Sequence, residues 1–334
     1  MNRRDVLLAL LALGTTSPAC FAQGQNKVWR LGFIGQIGRP DVFEGHIFSA
    51  LPRGLRELGY VEGKNLVIEW RYGDNKLERL PGLAAELVQA KVAMIVAAGT
   101  LSALAALAAL AAQKATTTIP IVFGNVSDPV GTGLVKSLAR PEGNITGPTS
   151  ISTEISAKVM QMLLSLAPRP TRVALLINPL GPNHVRAVKD LQAAGQQFGV
   201  RVQIVEARSP QDTAPAFAAM ARERADALTM PMDGLFISQR RQVADLAARY
   251  KLPSASTDGE YAKEGGLLSY GTDQQAVFRQ VATYVDKVLK GARPADLPVE
   301  QPTKLDLIVN RKTAKALGRT IPQALLISAN EVTD

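Results

Sequence analysis

The sequence predicts an α/β protein of two similar lobes, each a doubly wound parallel sheet with helices on both faces. Three observations predict it. Apolar β-type runs alternate with helix-period segments along the chain, the order that builds a covered parallel sheet. The order then recurs: strands near 30, 66, 92 and 119 find counterparts near 172, 202, 226 and 252, at a nearly constant offset. A local match supports the repeat, with "ELGYVEGKNLVIE" in the first half beside "QFGVRVQIVE" in the second. At 334 residues the chain can bury two cores.

The elements follow in order. "VWRLGFIG" (Val28–Gly35) reads as a strand and leads to a helix with Phe43, Ile47, Leu51, Leu55 and Leu58 on one face, closed by Gly59. Strand "NLVIEW", helix Leu77–Ala90, strand "VAMIVAAG", an alanine-rich helix and strand "IPIVF" complete the first half. The second half opens with "RVALLIN", followed by a helix from about Asn183 to Gln197. Strand "VRVQIVEA", a helix through Met220, "ADALTMPM", helix Leu235–Tyr250 and "LPSAS" follow.

Composition narrows the function. An apolar fraction of 46% with 20% charged residues indicates a globular chain. The net charge of +9 is spread along the sequence without a basic run, and aromatics are 5%, so no nucleic-acid partner is expected. "MNRRDVLLALLALGTTSPACFAQGQ" has the anatomy of an export leader: Arg3-Arg4, an apolar run Val6–Leu13, then small and polar residues. The run is too short to span a bilayer. The arginine pair fits the twin-arginine route as well as the general secretory one. Cleavage after Ala22 is expected to leave a soluble, monomeric periplasmic protein without stable membrane insertion. The competing reading anchors the chain by a lipid on Cys20, but Ser17-Pro18-Ala19 is a poor lipoprotein box. Residues 1–22 are therefore taken as a cleaved signal peptide, which removes the single cysteine. His46 and His184 stand far apart. No catalytic residue, metal site or cofactor is expected.

In doubly wound sheets, ligands bind beyond the carboxyl ends of the strands. The first half places Gln36, Thr100, Leu101, Ser102, Asn125, Ser127 and Asp128 there; the second places Asn178, Asp233 and Asp258, with Tyr270 in a later loop. Hydroxyls, amides and helix N-termini suit the anionic end of a small polar or zwitterionic ligand such as an amino acid or derivative, and Asp233 suits an amine. Gly131-Thr132-Gly133 lacks the spacing of a phosphate loop. The expectation there is a helix starting after Asp128-Pro129, with Asp128 either its cap or a ligand contact. No G-x-S-x-G elbow or H-E-x-x-H motif marks an enzyme. Asp233 and Asp258 have nothing nearby to make them an acid–base pair.

"AAGTLSALAALAALAAQKATTTIPIVFGNVSDPVGTGLVKSLARPEGNITG", "ELGYVEGKNLVIEWRYGD", "GGLLSYGTD" and "VLKGARPADLPVEQPTKLDLIVNRKTAKALGRTIP" resemble ABC transporter substrate-binding proteins of the tryptophan/tyrosine type. The resemblance covers nearly all of the chain after the leader. It implies the type 1 periplasmic-binding fold, a clamshell of two lobes joined by crossover strands with the ligand in the cleft and an ABC permease as partner. It also implies lobes of 23–148 plus 273–300 and 149–272 plus 301–334, the chain returning to lobe one through helix Ala276–Lys290. The family's G-T-P-A-A reads Gly99-Thr100-Leu101-Ser102-Ala103 here, and "QIGRPDVFEG" stands where histidine-proline is common. Two readings remain: a solute receptor for an importer, or a ligand sensor of the same fold that signals to a membrane receptor.

Overall fold

The computed structural model describes residues 27–112, 119–167 and 170–334. The leader and Cys20 lie outside the described residues.

The first sheet is built from β1 (Trp29–Gly35), β2 (Leu66–Tyr72), β3 (Met94–Ala98), β4 (Ile121–Gly124) and, after the short β5 (Val126–Ser127), β6 (Ile145–Thr146). Its order is β2-β1-β3-β4-β6, parallel throughout. Helices α1 (Ala50–Glu57), α2 (Leu80–Gln89) and α3 (Thr100–Ala112) fill its connections. Successive side chains leave a strand on opposite faces, and the core records this directly. Met94, Val96 and Ala98 join one apolar cluster with Leu31, Phe33 and Leu51; Ile95 and Ala97 join the other with Ile34, Leu87 and Ala106. Both faces are covered, which is why these strands read as unbroken apolar runs.

β7 (Thr149–Ser150) pairs with β5 and carries the chain into α4 (Ser152–Leu166) of the second lobe. There β8 (Arg172–Ile177), α5 (His184–Phe198), β9 (Arg201–Glu206), α6 (Thr213–Arg222) and β10 (Ala227–Met230) follow. α7 (Gly234–Ser238), α8 (Arg240–Arg249), β11 (Ser254–Ser256) and β12 (Leu268–Gly271) complete the repeat. The helix expected over Leu235–Tyr250 is broken at Gln239, whose φ of −112° and ψ of 13° leave the helical range. In β8, Val173, Leu175 and Ile177 face one cluster, and Ala174 and Leu176 the other.

The chain then returns. α9 (Gln274–Leu289) packs Phe278, Val281, Ala282 and Val285 against Phe33, Phe48 and Leu51 of the first lobe. Thr146 Oγ1 donates to Leu297 C=O at 2.7 Å, and the Thr149 N–H donates to Glu300 C=O at 3.0 Å, so the outgoing and returning segments run side by side. β13 (Asp306–Asn310) re-enters the second sheet antiparallel to β12. α10 (Arg311–Ala316), α11 (Gln323–Ser328) and β14 (Glu331–Thr333) end the described chain. The sheet order is β14-β13-β12-β11-β10-β8-β9. Among the described residues no helix is long and apolar enough to cross a membrane.

The helix expected after Pro129 does not form; residues 128–139 are turns and bends. Asp128 adopts φ 48°, and its Oδ1 accepts the Gly131 N–H at 2.9 Å. The carboxylate thus closes a local turn in place of capping a helix.

Candidate functional site

The carboxyl ends of β1, β3 and β4 face those of β8 and β10 across a cleft holding a cavity of about 120 Å³. Each wall is made where a strand stops. Gly99, at φ 90°, turns the end of β3 into α3, a conformation glycine takes without a Cβ penalty. The first helical bond of α3 runs from Ala103 N–H to Gly99 C=O at 3.1 Å, so the N–H groups of Thr100, Leu101 and Ser102 have no carbonyl within the helix. Gly99, Thr100 and Leu101 line the cavity. This is the positive end of a 13-residue helix, suited to an anion.

On the other wall stands Asp233. Its Oδ1 accepts the Leu235 N–H at 2.8 Å, capping α7, and the Asn178 side-chain N–H at 3.1 Å. Its Oδ2 takes no hydrogen bond and no ion pair among the described residues, and no lysine or arginine lines the cavity. Burial pushes the Asp233 carboxyl above the usual range, against the lowering effect of the Asn178 and Leu235 bonds. A carboxylate so placed favours a cationic group brought by a ligand.

Between these polar ends the lining is apolar. Phe48 and Phe278 come from the first lobe, and Ile177, Pro231, Phe236 and Ile237 from the second. Phe48 meets Phe278 edge-on at 5.1 Å and Phe33 at 4.8 Å. An apolar cavity of about 150 Å³ accommodates one benzene ring, so this chamber is scaled to a single ring or a branched aliphatic chain.

Seven of the expected residues line the cavity: Gln36, Thr100, Leu101, Asn125, Ser127, Asn178 and Asp233. Four do not, each for a physical reason. Ser102 is fully buried behind the wall. Asp128 accepts from Arg186 Nη1 at 2.5 Å. Asp258 is held by Arg240, whose Nη2 donates to Oδ1 at 3.0 Å and whose Nε donates to Oδ2. Tyr270 packs on the apolar cluster of the second lobe.

Sequence reasoning missed the apolar walls. Phe48 and Phe278 lie far apart in sequence, and only the return of α9 makes them neighbours. It also set aside His184, which lines the cavity and whose Nδ1 lies 2.7 Å from Gly181 C=O. A carbonyl can only accept, so Nδ1 carries a proton. The signal available was position, directly after the "NPLGPN" turn that follows β8.

Comparison with known proteins identifies the family and the fold. Residues 45–333 match the family described as ABC transporter substrate binding protein. A tyrosine-binding protein of Clostridioides difficile (strain R20291) is 28% identical over 265 residues, 79% of this chain and 74% of the relative. A conserved domain protein from Vibrio cholerae superposes with a TM-score of 0.81 at 28% identity, covering 92% of this chain and all of the other. An ABC domain from Streptococcus pneumonia in complex with L-Trp gives 0.80 at 24% identity, over 92% of this chain and 100% of that one. The fold is that of type 1 periplasmic binding proteins.

Proposed function

The chain belongs to the ABC transporter substrate-binding protein family, a family of binding proteins and not of enzymes, and we propose that it captures an L-amino acid with a compact apolar side chain for an importer. The observation that carries this is the pairing of ends. The free N–H groups of α3 face an Asp233 carboxylate that has no cationic partner among the described residues, and an apolar chamber of ring size lies between. The ligand's carboxylate sits at Thr100 and Leu101, its ammonium at Asp233 Oδ2, and its side chain against Phe48 and Phe278. Each lobe grips one charged end, so binding and closure are coupled. The names of the tyrosine-binding and L-Trp-bound relatives support an amino acid, and the chamber's size supports a single ring or branched chain.

The leader-like N-terminus supports export from the cytoplasm, after which the protein acts as a monomer delivering to an ABC permease. The lobes that move comprise residues 23–148 with 273–300, and 149–272 with 301–334.

Mass spectrometry of small molecules released from natively purified protein tests the reading. An apolar amino acid is the expected product; a sugar or nucleoside released in stoichiometric amount overturns it.

A further inference from the structure

Gln274, the first residue of α9, is fully buried and stands where the chain crosses back to the first lobe. The chemistry of its partners decides which way its amide faces. Its Nε2 lies 3.3 Å from the Thr272 carbonyl oxygen and 3.3 Å from the Met232 sulfur. A carbonyl oxygen only accepts, and a thioether sulfur is at most a weak acceptor, so the NH₂ group must face both. Oε1 is thereby turned to Asn125 and accepts from Asn125 Nδ2.

The same logic passes along the chain of amides. With its NH₂ committed to Gln274, Asn125 is left with Oδ1, which is buried and has no partner among the described residues. A buried acceptor without a donor is unfavourable unless something supplies the proton. Asn125 lines the cavity at the end of β4. It sits at φ 59°, in the left-handed region that asparagine tolerates better than most residues. Met232 belongs to the opposite wall of the cavity, so its contact with Gln274 also joins the two lobes.

We propose that Gln274 is a positioning residue that fixes the Asn125 amide with its oxygen offered to the ligand, making Asn125 Oδ1 the first-lobe acceptor for the ligand's ammonium opposite Asp233. An amide flipped the other way would present NH₂ and would suit a carbonyl or carboxylate at that point instead. Gln274, which need not touch the ligand, thus sets the polarity of the site. The inference rests on the amino-acid reading above.

The test measures a ratio. Affinities of the mature protein for L-phenylalanine, L-tyrosine, L-tryptophan, L-leucine, L-isoleucine and L-valine are compared by calorimetry with those for the corresponding 3-substituted propanoates, which lack only the ammonium. Gln274→Met keeps the size and removes the amide. The preference for the amine should then fall by about tenfold, the worth of one hydrogen bond to a charged group, while the propanoates bind as before. Asn125→Gly, which relieves the left-handed backbone, removes the acceptor directly, folds independently of Gln274 and should lower the ratio by the same factor. Equal losses for amino acids and propanoates, leaving the ratio unchanged in either variant, would show a purely structural role and overturn the proposal. If the wild-type protein binds none of the pairs, the amino-acid reading itself fails and this inference falls with it.

Discussion

Arg186 on α5 reaches across the cleft to Asp128, its Nη1 2.5 Å from the carboxylate Oδ2. Beside it Asn183 donates its side-chain N–H to the Ser127 carbonyl at 2.9 Å. Both contacts join a residue of the second lobe to the segment that leaves β4 and so hold the lobes together in this conformation. Arg186 also meets Glu154 and Asp190, each at 3.5 Å, which holds the guanidinium in place once the lobes part.

Arg186→Ala should therefore favour the open form. The pair is partly exposed, so ligand affinity should fall by no more than about fivefold, and the difference should shrink at high salt. Small-angle scattering of the ligand-free variant should show a larger radius of gyration than wild type. Equal radii would remove the latch.

Asp258 behaves differently because its partner is buried. The side chains of Arg240 and Asp258 are 15% and 5% exposed. Asp258→Asn strands the guanidinium and should lower stability by about 3–5 kcal/mol, measured by urea unfolding. The affinity of the folded variant should stay within threefold or so of wild type, since neither group lines the cavity. A large affinity loss with unchanged stability would return Asp258 to the ligand.

Asp233→Asn should weaken binding at least about tenfold without lowering the melting temperature of the ligand-free protein, because asparagine caps α7 as well as aspartate does and removes a buried charge. The pH dependence has a definite sign. Burial raises the folded-state pKa of Asp233. The cost of keeping it ionised in the ligand-free fold is fully present above that raised value and vanishes as pH falls below the ordinary carboxylate range. Affinity should run the other way, dropping as pH falls through the raised pKa because the protonated carboxyl no longer attracts an ammonium. In Asp233→Asn this acid limb should disappear; its persistence would assign the titration elsewhere.

Gly147 tests the crossing. It lies between β6 and β7 at φ 148°, and a Cβ there would sit 2.1 Å from the Phe123 carbonyl oxygen. Gly147→Ala should cost about 3 kcal/mol or more, since neither backbone can yield without breaking the β4–β6 edge. Denaturant unfolding that shows less than about 1 kcal/mol would contradict this packing.

The fold was legible because its cause is periodic. Alternation along β3 and β8 places each residue on one of two covered faces, and the repeat of strand and helix appears in the sequence as a shift. The polar lining of the cavity was legible for a related reason: Thr100, Asn125, Asn178 and Asp233 follow closely on strand ends, where such sheets open their clefts. The rest depended on contacts that no local pattern encodes. Phe278 reaches the cavity only because α9 crosses back, and Asp258 is spent on an arginine 18 residues away. Asp128 read equally as a helix cap or a ligand contact, but its carboxylate takes the Gly131 N–H and Arg186.

The most direct test of the account is a calorimetric titration of the mature protein, stripped of ligand by unfolding and refolding, against the L-amino acids and a set of uncharged sugars. The account predicts one-to-one binding of one or more aromatic or branched apolar amino acids, with a negative heat-capacity change from burial of the side chain. It also predicts no heat from the sugars. Silence from every amino acid together with saturable binding of a sugar would contradict it.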